Sequence, residues 1–249
     1  MKKYGFTLAE ILISLGIIGV VSAIILPTFT ANSQNQANAS KLSAASNAAE
    51  NAFSSMMLAE GYDDIRDTSF GQKFSSGNAG KLGDFLKYTN SNTTYTSLGY
   101  SSNAPFKTIN NVALEENALK PAFAVTTKNG AVIAFKPAIK EFTETEITNL
   151  EKNGCSVTSK LATVVIDVNG PAKPNKVGRD VYAYILGGDG ILYPYGSKMG
   201  NLIASNGSED KDYSESTNSN YSCNPSKCSS YYGLGCTGKL IEDGYKMKY

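Results

Sequence analysis

Histidine is missing from all 249 residues. That absence removes Ser-His-Asp and Cys-His nucleophilic catalysis together with every histidine metal site. No P-loop and no nucleophile beside a base takes their place, so an enzymatic function is not expected. Charge of one sign is also missing: 23 basic and 22 acidic residues leave a formal charge of +1, too weak a field to point to nucleic acid. Cysteine is scarce, with none before Cys155, and the four present are Cys155, Cys223, Cys228 and Cys236. In an exported domain they predict two disulfides, with three pairings open. A four-cysteine zinc site is the rival reading, but the gaps of four and seven residues between the last three cysteines miss the usual close pairs.

Long apolar runs are nearly absent too. The one exception covers residues 6–26, 21 residues that as a helix span about 30 Å, the thickness of a bilayer core. It follows a basic leader, Met1-Lys2-Lys3-Tyr4-Gly5. A secretory signal carries its cleavage site after the apolar segment, whereas here the small residue, Gly5, stands before it. Cleavage there would retain the helix and expose Phe6 as a new N-terminus. The single ionisable residue of the run is Glu10, and a carboxylate at that depth costs roughly 2 kcal/mol or more unless it finds a partner. A position at the membrane interface, favoured by the helix dipole, is the plainer account of it. Gly16, Gly19 and Pro27 predict a bend or local melting, or else simply permit close helix packing.

Gly5, Phe6, Thr7, Leu8 and Glu10, with Pro27 further on, resemble the N-terminus of type IV prepilins and type II secretion pseudopilins. The resemblance covers about the first thirty residues. It implies processing after Gly5 by prepilin peptidase, N-methylation of Phe6, and assembly through the helix, with Glu10 pairing with the amino group of a neighbouring subunit. The stretch around Pro27 would be able to unwind on packing. The implied partners are the peptidase, other pilin subunits, the inner-membrane assembly platform and the bacterial cytoplasmic membrane, crossed once with the C-terminal domain outside. A structural filament subunit is the leading expectation. The alternative is a minor tip pilin that binds DNA, a surface or a protein partner.

The rest of the chain is long enough for one soluble domain. Residues 1–5 are the leader, 6–27 the membrane and assembly helix, and 28–60 its amphipathic continuation. Leu42, Ala45, Ala49, Phe53, Met56 and Met57 recur there at helical spacing, and Gly61 is the expected stop. Residues 61–118, rich in Gly, Ser, Asn, Thr and Tyr, form a variable connection with a short helix near residues 82–88. Residues 119–200 turn to strand texture, with a hairpin about Lys128-Asn129-Gly130 and a later turn at Gly187-Gly188-Asp189-Gly190. The expected fold is α+β: a long helix on an antiparallel sheet of about four strands. Tyr182, Tyr184, Tyr193 and Tyr195 alternate as though one sheet face were packed and the other exposed. Residues 201–249 are a cysteine-tethered region whose last dozen residues dock a short helix or strand.

Two strings require weighing. Gly233-Leu234-Gly235-Cys236-Thr237-Gly238 fits a dinucleotide fingerprint but has no βαβ setting and is rejected. Between two strands, Asp167, Asn169, Asn175 and Asp180 gather hard oxygen donors. An EF-hand fails because Pro171 occupies a ligand position. An Asx-turn and Pro-rich connection without metal is the leading reading; the alternative is calcium on these four residues, since some secretion pseudopilins bind calcium in a loop of this kind.

Overall fold

The computed structural model describes residues 7–115, 117–207, 223 and 233–247. Helix α1, Leu8–Glu60, has 53 residues and is therefore about 80 Å long. Thr7 caps it, and Gly61 ends it in the left-handed conformation at φ 76°, its N–H reaching Met57 O. The helix is continuous through Gly16, Gly19 and Pro27, so the expected melting is not present in the single chain. Only its second half is buried. Ala39, Leu42, Ala45, Ala49, Ala52, Phe53, Met56 and Met57 repeat every three or four positions and face the sheet.

After α1 come α2 (Ser69–Lys73), α3 (Leu82–Phe85) and strand β1 (Tyr88–Asn92). Next are β2 (Phe123–Thr127), β3 (Val132–Glu141), α4 (Glu144–Lys152), β4 (Ser159–Asp167), β5 (Val181–Gly187) and β6 (Leu192–Pro194). Two short helices follow, α5 (Lys198–Ala204) and α6 (Cys236–Glu242). The described strands form one six-stranded antiparallel meander in sequence order. Six replace the four expected. The predicted short helix ends at Phe85, and Tyr88, assigned to it, begins β1 instead. Between β2 and β3 the anticipated turn holds, with Gly130 at φ 81° and its N–H bonded to Thr127 O at 3.0 Å.

Both faces of this sheet are covered, which corrects the reading of the tyrosines. On the α1 face, Phe53 meets Phe70 and Phe135 with centroids 6.1 Å away in each case, and Tyr182 and Tyr184 join that cluster. On the other face, Ala183 and Ile185 pack with Leu150 of α4, Leu202 and Ile203 of α5, and the aromatics Tyr95, Tyr100 and Phe106. Tyr193 and Tyr195 belong to this second layer. Consequently β4 and β5 are buried along their whole length, as strands sandwiched between two apolar layers must be. The C-terminal piece docks as helix α6, with Leu240 in the α1-side core.

Candidate functional site

The features singled out by sequence fall at two places. At the start of α1, Thr7 and Glu10 form a reciprocal capping box. Thr7 N–H and Thr7 Oγ1–H each donate to Glu10 Oε2 at 2.8 Å, and Glu10 N–H returns to Thr7 Oγ1 at 3.3 Å. Thr7 is the partner that sequence reading missed for Glu10, although Thr-x-x-Glu is a legible capping signature. Gly5 and Phe6 lie outside the described residues. Along the following turns the large apolar side chains are open: Leu12 is 61% exposed, Ile17 60%, Ile24 69% and Phe29 66%. The most apolar 18-residue window of α1 is not buried at all, and the helix is long and apolar enough to cross a membrane.

The second place is the connection from β4 to β5. Here the fold brings Asp167, Asn169, Asn175 and Asp180 into one cluster. Asp167 and Asp180 are 1% and 0% exposed. Tyr100 Oη–H donates to Asp167 Oδ2 at 2.7 Å, and the Asn169 N–H donates to Asp167 Oδ1 at 3.2 Å. Asp180 accepts the N–H groups of Asn175 and Lys176 at 2.8 and 2.6 Å. Burial, followed by the nearby Asp180, pushes the Asp167 carboxyl well above the usual carboxylate range. Burial also raises Asp180, against the hydrogen bonds from Lys176, Asn175 and Asn169. Two buried like charges side by side favour protonation or a bound cation.

Two amide oxygens bear on that choice. Asn169 Oδ1 is buried without a hydrogen-bond partner. The Asn175 amide faces the carbonyl oxygens of Gly170 and Ala172. With nitrogen toward them it donates at 3.1 and 2.8 Å, which satisfies the amide and both carbonyls without a metal. Among the described residues no group of three or more His, Cys, Asp or Glu side chains is assembled for a metal such as calcium. Amide and main-chain oxygens would have to supply most of the ligands.

The cysteines correct an expectation. Cys223 and Cys236 are bonded, with Cα atoms 4.5 Å apart, whereas Cys155 is a buried free thiol whose pKa burial pushes up. Cys228 lies outside the described residues. Sequence reading also missed Lys160, whose buried ammonium donates to the carbonyls of Ile203 and Ala204 at 3.2 and 2.9 Å, at the end of α5. Burial lowers its pKa to about 8.

Residues 1–26 match the family described as the prokaryotic N-terminal methylation motif. The chain carries the type IV pilin and pseudopilin signature. No curated protein and no solved structure gives a match. The methylation motif supports a pilin-like substrate of prepilin peptidase that assembles with other pilin subunits. It ends where α1 leaves its most apolar stretch, so the pilin signature and the open half of α1 coincide. Proteins with this motif are structural rather than enzymatic.

Proposed function

We propose that the protein is a structural subunit of a type IV pilus-like or type II secretion pseudopilus filament. In this reading it is cut after Gly5, methylated on Phe6 and held in the cytoplasmic membrane by α1, with the sheet domain outside. The observation that carries the proposal is the division of α1. Its second half is built into the domain core, while its first half bears the methylation motif and leaves the large apolar side chains uncovered. Exposed apolar area on that scale requires either lipid or other subunits around it. Both environments suit a protein that waits in a membrane and then enters a fibre.

Glu10 suits the same two states. In the single chain Thr7 satisfies its carboxylate. Cleavage after Gly5 creates an ammonium group at Phe6, and in a fibre Glu10 of an adjacent subunit would pair with it, since a charge in an apolar core needs an opposite charge. Intact-mass measurement in cells with and without prepilin peptidase tests the processing step: loss of residues 1–5 and gain of one methyl group on Phe6 are expected. An uncut chain in peptidase-positive cells would overturn it. Glu10→Ala should insert normally yet assemble poorly, and a wild-type filament yield from that variant would remove the assigned role.

For the β4–β5 connection, the proposal is a calcium ion held by Asp167, Asn169, Asn175 and Asp180 with neighbouring carbonyls. Its charge would offset the two buried carboxylates, and it would give Asn169 Oδ1 the partner it lacks. A ligand present at about 100 times its Kd stabilises the folded state by about 2.7 kcal/mol. Melting temperature should therefore rise with added calcium and fall with chelator, and the response should vanish in Asn169→Ala combined with Asn175→Ala. Melting curves that ignore calcium would dismiss the site.

A further inference from the structure

The two ends of the sheet differ in charge. Val132 of β3 pairs with Asp167 of β4, and Asp167 with Val181 of β5, so the β2–β3 turn and the β4–β5 connection meet at one end. That end lies beside the start of the packed half of α1, where Asn38 Nδ2–H donates to the Arg179 carbonyl at 3.2 Å. It carries Lys41 on α1, Lys87 before β1, Lys128 in the β2–β3 turn, and Lys173 and Lys176 in the β4–β5 connection. A groove of about 480 Å³ links Lys41, Lys87 and Lys128, with no carboxylate in its wall. Lys246 borders a second cavity together with Asn32, Asn35 and Gln36 of α1. Lys176 is half-buried and the other five lysines are exposed. Among the described residues none of the six is within ion-pair distance of a carboxylate. Asp167 and Asp180 at this end are buried, and Asp84 and Glu242 are the exposed carboxylates nearest these lysines in sequence. The opposite end, where Glu141 pairs with Ser159 and Ser159 Oγ–H donates to Asp64, bears the exposed Asp63, Asp67, Glu141 and Glu144.

The lysine-bearing end is also the end from which the open half of α1 projects. Phe29, 66% exposed, is the last open large apolar side chain before the domain, and residues 30–40 carry no charge. Asn32 and Gln36, beside Lys246, stand about 5 and 10 Å further along the helix than Phe29, and Lys41 about 18 Å further. A headgroup layer is about 5–7 Å deep. With Phe29 at the edge of the bilayer core, Lys246 is therefore at headgroup height, and Lys41 is about 11 Å above the headgroups, roughly one Debye length. A tilt of about 20°, ordinary for a spanning helix, lowers one side of the ring further. We infer that Lys41, Lys87, Lys128, Lys173, Lys176 and Lys246 seat the domain on anionic phospholipid headgroups while α1 spans the bilayer. The inference rests on the membrane reading of α1 given above and adds the lipid class: the lysines meet the negative potential of anionic headgroups, which zwitterionic lipid does not supply.

The test places the full chain in nanodiscs of pure phosphatidylcholine, or of phosphatidylcholine mixed with phosphatidylglycerol, and follows lysine acetylation rates by mass spectrometry. An anionic surface concentrates protons about threefold, so amines held against it should be acetylated about threefold more slowly. Lys41, Lys87, Lys128 and Lys246 should show that slowing in the anionic discs. Lys73, beside Glu60, and Lys152, at the end of α4, should not. Salt at about 1 M, where the Debye length falls to about 3 Å, should remove the difference. In the combined variant Lys41→Gln, Lys87→Gln and Lys128→Gln, the slowing at Lys246 should shrink as the domain is released from the surface. Equal rates in the two lipids, or equal slowing at both ends of the domain, would overturn the inference. So would the same slowing from inorganic phosphate added to phosphatidylcholine discs, which would assign the lysines to a soluble anion. A chain that does not enter the discs through α1 would remove the membrane reading and this inference with it, whereas entry with equal rates would remove this inference alone.

Discussion

At the residue scale, the Asp167–Asp180 pair makes the protein's pH response depend on what lies between the two carboxyls. Burial raises both pKa values above those of the unfolded chain, near 3.8. In the window above that value the folded state then holds more protons than the unfolded one, so the pair's contribution to stability is complete at low pH and lost as pH rises through the folded-state values. Without calcium, stability should fall from pH 4.5 toward neutrality, and Asp167→Asn should flatten the slope. Under the calcium proposal the ionised pair would be the bound form and added calcium should reverse the slope, which denaturant melts across pH would show. The Tyr100–Asp167 contact spans 67 positions, so no local sequence pattern announces it. The four oxygen-bearing residues were visible in the sequence because they stand in one connection; their shared burial was not, because that comes from the loop carrying Tyr95, Tyr100 and Phe106 on the sheet's far face. Deleting the Phe53 ring, which is fully buried against Phe70 and Phe135, should cost about 3–5 kcal/mol.

At the scale of elements, legibility follows how much of the sequence signal is local. The buried stripe of α1 could be read because helical period, small residues and large apolar residues agree from Leu42 to Met57. Strand β1 could not: Tyr88–Asn92 is a polar edge strand with mostly exposed side chains, and pairing with β2 rather than its own pattern makes it a strand. Helix α4 carries little apolar surface, and its one strong signal is the box in which Thr143 and Glu146 cap each other. The tail is tethered once among the described residues, by a bridge with a sequence separation of 13. Closing a loop of that size is worth about 3 kcal/mol in the chain-entropy account. Cys223→Ser with Cys236→Ser should therefore lower the melting point and free α6 first, visible as loss of hydrogen-exchange protection around Leu240.

At the scale of the whole molecule, the open half of α1 has no part in the domain core. A fragment beginning at Thr28 should fold without detergent and melt within a few degrees of the full chain, whereas a fragment beginning after Phe53 should not fold. Thermal melts of both would check the division. A fragment that needs the first 27 residues to fold would contradict the separation of roles along the helix.

That helix has no break between its bare half and its packed half. Tension applied at the N-terminus would pass along a single hydrogen-bonded rod to Leu42, Phe53 and Met56, and load them in shear against the sheet together rather than peel them away one at a time. Under force, the weakest part of the subunit would then lie elsewhere, and the grip of α1 on its own domain would be among the last contacts to yield.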